Sequence, residues 1–306
     1  MTLRFRAAAA TDVGRVREHN EDSYLVDDTL GLVAVADGMG GHRAGEVASA
    51  TALDALRVAF GAGSTIEAAV AAANDIVYEQ SVADQSLRGM GTTLTAGALG
   101  VDGSLSLGHV GDSRAYLVRD GKLERVTTDH SLVDELVRAG ELTEEEAEQD
   151  PRRSMITRAL GLEPGVVVDL ESVMLRDGDR ILLCSDGLTS MIREDRIQEI
   201  LTTEPDIEVA ARRLIDAANE AGGADNITVL LVDIEDDGEP PPPEATMPAA
   251  AVEPSGEEAG GDEDVAAGTD DGASVSDSQA DHSPASEAPG AQERPKRRGL
   301  FRRRRR

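Results

Sequence analysis

The sequence predicts an α+β fold in which helices cover the outer faces of antiparallel sheet, and three observations carry that prediction. Strand-like and helix-like stretches alternate irregularly through residues 1–235, without an internal repeat. Neighbouring strands are joined by short turns, as in VRDGKLERV, where Asp120-Gly121 is a two-residue hairpin signal. The long helical patterns come in pairs instead of after every strand, which argues against a doubly wound parallel sheet.

Along the chain, short apolar runs bounded by turn residues predict strands over 24–26, 31–36, 92–99, 105–110, 115–118, 122–126, 166–174, 180–185 and 227–234. Apolar residues recurring at helical spacing predict helices over 44–60, 66–82, 132–139, 144–148, 194–202 and 207–221. The junction VADGMGGHRAGEVAS is unusual. An apolar run at 32–36 stops at Asp37, passes four glycines and His42, and enters an Ala-rich helical pattern. Glycine at this density lets backbone approach closely, so the loop could cradle a phosphate, hold a metal or simply turn.

Composition divides the chain near residue 236. Residues 236–293 hold sixteen Asp or Glu, no Lys or Arg, and a run of four prolines at 240–243. Such a segment buries too little apolar area to offset the entropy of ordering, so a disordered acidic linker is expected. Residues 294–306, RPKRRGLFRRRRR, carry nine basic residues. This basic tail is read as a solvated extension, an adhesive patch for anionic lipid, a docking site for an acidic partner, or a partner for the linker. The remaining domain, 1–235, has 43 acids against 21 bases, and the whole chain a formal charge of −29. A surface of this sign excludes a general nucleic-acid binder. One cysteine, Cys184, excludes an internal disulfide and fits a reducing compartment. The sequence has no apolar run of signal-peptide or membrane-span length, so a cytoplasmic location is expected.

Several apolar runs end in acids: LVAVADG at Asp37, ILLCSDG at Asp186, and GGADN at Asp225 before ITVLLVDI, while REHNEDSY sets Glu21 and Asp22 before a short strand. Half-buried carboxylates at sheet edges are costly unless paired or bound to metal, and no matching set of basic residues accompanies them. Oxygen-only ligands select hard cations, Mg²⁺ or Mn²⁺, and there is no Cys/His cluster for zinc. Two such ions can hold one water and lower its pKa.

The ordered set RVREHNEDSY, VADGMGGH, GMGTTLTAGAL, GHVGDSRAYLV, TTDHSLVDELVRAGELT, LLCSDGL and GGADNITV resembles the PPM/PP2C family of metal-dependent protein Ser/Thr phosphatases, in the bacterial form that opposes Ser/Thr protein kinases. The resemblance spans roughly residues 4–235. It implies a four-layer αββα sandwich and hydrolysis of phosphoserine and phosphothreonine in proteins by a water bridging two Mn²⁺ or Mg²⁺ ions. Asp37 matches the bridging aspartate, Gly38 the carbonyl ligand, and Asp186 and Asp225 the acids completing the first metal site. Asp22 and Glu21 match the acids of the second ion's shell, and Asp129 the acid of a third, weaker site. Arg17 matches the arginine that clamps the substrate phosphate, a task suited to a planar guanidinium fork.

Two features depart from the family pattern or stay open. Met39 stands where animal members carry a histidine proposed as general acid, and His42, three residues on, either transfers a proton or sits at a helix start. Residues 131–160 match a variable flap, where Arg152, Arg153 and Arg158 either meet phosphoprotein or are solvated. Cys184 lacks the arginine a tyrosine-phosphatase loop needs, since Ser190 stands six positions on, and reads as a small buried hydrophobe. His109 reads as a hydrogen-bonded strand residue, and Asp112 as a turn residue bonding nearby amides. Two rival functions remain at this stage: a non-catalytic phosphoprotein-binding module on the same fold, and a hydrolase of small phosphorylated metabolites or a phosphorylated anti-sigma-factor antagonist.

Overall fold

The computed structural model describes residues 3–40 and 43–236. His42, the basic tail and all of the linker after Asp236 lie outside the described residues.

Two wholly antiparallel sheets form the centre. One runs β1 (Leu3–Asp12), β11 (Ile227–Asp236), β10 (Arg180–Cys184), β7 (Arg114–Arg119), β8 (Lys122–Arg125). The other runs β2 (Asp22–Asp27), β3 (Leu32–Met39), β5 (Leu94–Leu99), β6 (Ser104–Val110), β9 (Asp169–Met174), with β4 (Gly91–Thr92) paired to the end of β3. Helices α1 (Arg43–Gly61) and α2 (Ile66–Ala83) lie against the second sheet, and α5 (Asp186–Thr189), α6 (Glu194–Thr203) and α7 (Ile207–Glu220) against the first. The short helices α3 (Leu132–Arg138) and α4 (Glu144–Gln149) belong to the excursion between β8 and β9.

Period-two alternation explains the layering. On β3, Val33 and Val35 face the opposite sheet while Leu32, Ala34 and Ala36 face α1 and α2. On β10, Ile181 and Leu183 enter the inter-sheet core and Leu182 and Cys184 the helix side; β11 divides Leu230, Val232 and Ile234 from Val229 and Leu231 in the same way. Strands buried on both faces read as continuous apolar runs, which is why ILLC and ITVLLV stand out in the sequence. Three apolar layers result, and the expected αββα arrangement is the one observed.

Local signals agree with this frame. Asp120 and Gly121 both adopt positive φ, 52° and 75°, as the β7–β8 hairpin turn requires. Thr65 and Asp206 cap α2 and α7 by accepting from backbone amides, and Thr143 with Glu146 forms a capping box on α4.

Four sequence-based assignments need correction. Residues 3–12, LRFRAAAATD, carry no strand signal in the sequence, because alanine has no strand preference; they form a ten-residue strand paired with β11 along its whole length. The strand expected over 166–174 starts at Asp169. The strand expected over 92–99 is interrupted at Thr93, which turns its amide to Asp37 O at 2.9 Å. A one-turn helix, α5, follows Ser185 where no helix was expected.

Candidate metal and phosphate site

The alternation that buries Val33 and Val35 between the sheets carries Asp37 to the same face at the end of β3, directly opposite Asp22 in the β2–β3 register. In the facing sheet, Ser185 and Asp186 follow β10, and Asp225 and Asn226 precede β11. The acids that the sequence scatters over two hundred residues therefore collect at one end of the inter-sheet core. Their electrostatics record it. Burial pushes the Asp37 carboxyl well above its ordinary range, and the charges of Asp22, Asp186, Asp112 and Asp225 push it further. Burial likewise raises Asp22, against a partial offset from the Ser185 hydroxyl, and raises Asp186, with Asp225 adding to the effect.

The surrounding polar residues fix these acids from behind. Asp37 N–H donates to Thr93 Oγ1 at 2.9 Å, and its carbonyl accepts from Thr92 Oγ1 at 2.9 Å. Thr93 Oγ1 also meets Ser113 Oγ at 2.7 Å. Ser185 Oγ donates to Asp22 Oδ2 at 2.7 Å and accepts from Thr228 N–H at 3.0 Å. Asn226 is the hub of the β1–β2 loop: its Nδ2 donates to Val13 O and His19 O, both at 2.9 Å, and its Oδ1 accepts from Glu21 N–H at 2.8 Å.

The glycine question raised by the loop has a steric answer. A Cβ on Gly38 would collide with Gly45 O, and one on Gly45 would lie 2.5 Å from Glu21 Oε2 and 2.8 Å from the Gly38 carbonyl carbon. The end of β3, the start of α1 and Glu21 thus touch through two residues without side chains. Gly45→Ala is expected to destabilise the domain by about 2 kcal/mol, because overpacking outweighs the ~1 kcal/mol that alanine adds inside a helix. Urea denaturation measures it; a stabilised variant would show that the contact yields.

Not every expected residue joins the acids as a free ligand. Asp129 accepts Arg125 Nη2 at 2.7 Å and Arg114 Nε at 3.1 Å on Oδ1, and Arg114 Nη2 at 2.7 Å on Oδ2, so guanidiniums engage both oxygens. Arg17 Nη2 bonds Asp225 Oδ2 at 2.7 Å. Conversely, Asp112 lies in the tight β6–β7 connection that the sequence predicts, and the structure adds a second property. It is buried beside the acids, burial first and then Asp186 and Asp129 raise its pKa, and its Oδ1 has no partner among the described residues. The loop bearing it is held by His130, whose Nδ1 accepts from Gly111 N–H at 2.9 Å. Asp112, Thr93, Ser113 and Ser185 were legible only as members of motifs, since nothing in their spacing sets them at the acids.

Arg152 and Arg158, expected as solvated if not engaged with phosphoprotein, are ion-paired, to Asp150 at 2.8 Å and Asp169 at 2.6 Å. His109 is a strand residue bonded to Thr95 Oγ1 and Thr128 O, as expected, and Cys184 is buried with a thiol pushed up to about 12. Bridges Ser131 to Ile156 and Thr92 to Leu160 close the flap of residues 131–160 and tie it to the Thr92–Thr93 clamp on Asp37.

The donors fit divalent hard cations. They are carboxylates and a carbonyl, and buried Asp22 Oδ1, like Asp112 Oδ1, lacks a partner among the described residues, an arrangement that a cation would relieve. Among the described residues no three His, Cys, Asp or Glu side chains stand in ready-made metal-holding geometry. The acids are close enough to perturb one another, but Asp225, Asp22 and Asp129 turn oxygens onto Arg17, Ser185 and Arg114 instead. Two surface clefts, of about 180 Å³ beside Ala7–Ala10 and about 400 Å³ beside Tyr78 and Arg88, contain none of these acids.

Comparison with known proteins supplies the family. The family model described as protein phosphatase 2C matches residues 14–229. The chain is 43% identical over 236 residues to the serine/threonine phosphatase stp of Listeria monocytogenes serotype 4b, covering 73% of this chain and 93% of that protein. The crystal structure of the Mycobacterium tuberculosis serine/threonine phosphatase PstP/Ppp superposes with a TM-score of 0.71 at 43% identity, covering 77% of this chain and 100% of that one. A structure of the catalytic domain of PstP in complex with two manganese ions gives 0.70 at 42% identity over the same shares. With a family model spanning most of the chain and relatives matched over nearly their whole length, the chain belongs to the protein phosphatase 2C family.

Proposed function

We propose that the chain is a metal-dependent protein serine/threonine phosphatase acting on phosphoserine and phosphothreonine in other proteins, Ser/Thr protein kinases among them. The observation that carries the reading is the set of mutually perturbed carboxylates, Asp22 buried and Asp37 and Asp186 half-buried, with Asp225 beside them, in a member of this family. Asp37, the Gly38 carbonyl, Asp186 and Asp225, with Asp22 and Glu21 behind them, would hold two Mn²⁺ or Mg²⁺ ions. When bound, such ions supply a water acidic enough to attack phosphorus near neutral pH and neutralise charge developing on the phosphate oxygens.

The chain's own residues supply placement. Thr92 and Thr93 fix the Asp37 backbone, Ser185 orients Asp22, and Arg17 receives the phosphate through its fork. The domain at 1–235 is the catalytic unit; the segment 236–293 is an acidic linker, and 294–306 a basic end for an acidic partner or an anionic surface. No helix among the described residues is long and apolar enough to cross a membrane.

The test is hydrolysis of phosphothreonine and phosphoserine peptides. Release of phosphate should require Mn²⁺ or Mg²⁺ and cease in EDTA. Turnover that survives EDTA refutes the metal-dependent reading, and phosphopeptide capture without turnover supports a binding module.

A further inference from the structure

Arg17 occupies an unexpected place for a residue assigned to phosphate. Its Nη2 is 2.7 Å from Asp225 Oδ2, and after Asp225 the carboxylates that hold its charge are Glu21 and Asp37. The guanidinium therefore lies among the acids that would bind cations. Each Asp225 oxygen already accepts one hydrogen bond, Oδ2 from Arg17 and Oδ1 from the amide of Asn226 at 2.8 Å.

The backbone on either side of Arg17 is fastened. Gly14 N–H donates to Asp12 Oδ1 at 2.9 Å, Arg15 N–H to Gly223 O at 2.7 Å, and Asn226 binds Val13 O, His19 O and Glu21 N–H. The Arg17 side chain is half exposed, at 52%. Relocating it requires rotation about its own bonds and no movement of the loop.

We propose that Arg17 is a stand-in cation on Asp225, released when a divalent ion takes that carboxylate, so that metal loading frees the guanidinium for the substrate phosphate. This rests on the phosphatase reading. A partly exposed ion pair is a weak interaction, easily exchanged for a divalent ligand. Once displaced, a guanidinium with five donors has lost its carboxylate at the place where a phosphate dianion arrives. Metal and phosphate are then coupled through one side chain, and the coupling is reciprocal.

The experiment uses the full chain and two readouts other than turnover. Calorimetric titration with Mn²⁺ is expected to show Arg17→Gln binding about three- to tenfold tighter than the parent, since the competitor is gone. Arg15→Gln removes an equal charge from the same loop and is expected to leave the affinity within about twofold. In parallel, the arginine Nε–H signal missing from Arg17→Gln is followed in the parent during Mg²⁺ titration, and it should shift in step with the binding isotherm. Saturation with that signal unmoved, unchanged or weaker Mn²⁺ binding in Arg17→Gln, or equal tightening in Arg15→Gln overturns the stand-in role while leaving the phosphatase reading intact. If neither ion binds the parent, the phosphatase reading fails and this inference fails with it.

Discussion

Asp37→Asn is expected to lower metal-dependent phosphatase activity by at least about 10³-fold while raising the melting temperature of the metal-free protein at pH 8. The two effects have one origin. The Asp37 carboxylate is half-buried, desolvated and surrounded by Asp22, Asp186, Asp112 and Asp225, so ionising it without a cation is unfavourable. The amide keeps the shape and removes the charge, so the metal-free fold gains. The same substitution takes away the anion proposed to hold both ions, and loss of such preorganised charge removes most of the transition-state stabilisation. Initial rates on a phosphothreonine peptide and thermal melts in EDTA measure the pair. A variant that loses activity and also loses stability would mean that Asp37 supports the fold and is not a strained metal acid.

The stability of the metal-free protein, and with it the melting temperature, should fall as pH rises from about 4 to about 8. The folded pKa values are raised, to about 6 for Asp186, about 7 for Asp22 and about 8 for Asp112, in each case through burial first. Between the ordinary carboxylate range and these values the folded chain binds more protons than the unfolded one, so each unit of pH reduces stability. Below about pH 4 both states are protonated and the contribution is fully present; above pH 8 it is gone. Saturating Mn²⁺ should reverse the trend, because the ligands must be deprotonated to bind and an ion at 100 times its Kd adds about 2.7 kcal/mol. The Mn²⁺-induced shift in melting temperature is accordingly larger at pH 8 than at pH 5. Equal shifts at the two pH values, or a flat metal-free profile, would remove the argument that these acids are held for a cation.

Sequence and structure divide the account along a physical line. The strands ILLC and ITVLLV and the paired helices were legible because burial on two faces, or on one stripe, writes itself into residue order. The acids at Asp22, Asp37, Asp186 and Asp225 were legible because charge at the end of an apolar run conflicts with burial unless something compensates it. Strand β1 was not, since LRFRAAAATD takes its conformation from ten residues of pairing with a partner more than two hundred positions away. Nor were Asp112's burial, the hold of Thr93 and Ser185 on the acids, or the guanidiniums on Asp129.

The sequence by itself determined the layers, the acid set and the hard-cation chemistry, because hydrophobic period and side-chain type are local properties. Only the tertiary structure decided which oxygens face which neighbours, and so that Arg17 rests on Asp225 and that two glycines let Glu21 reach the end of β3. Those are matters of distance between segments remote in sequence, set by how the two sheets pack.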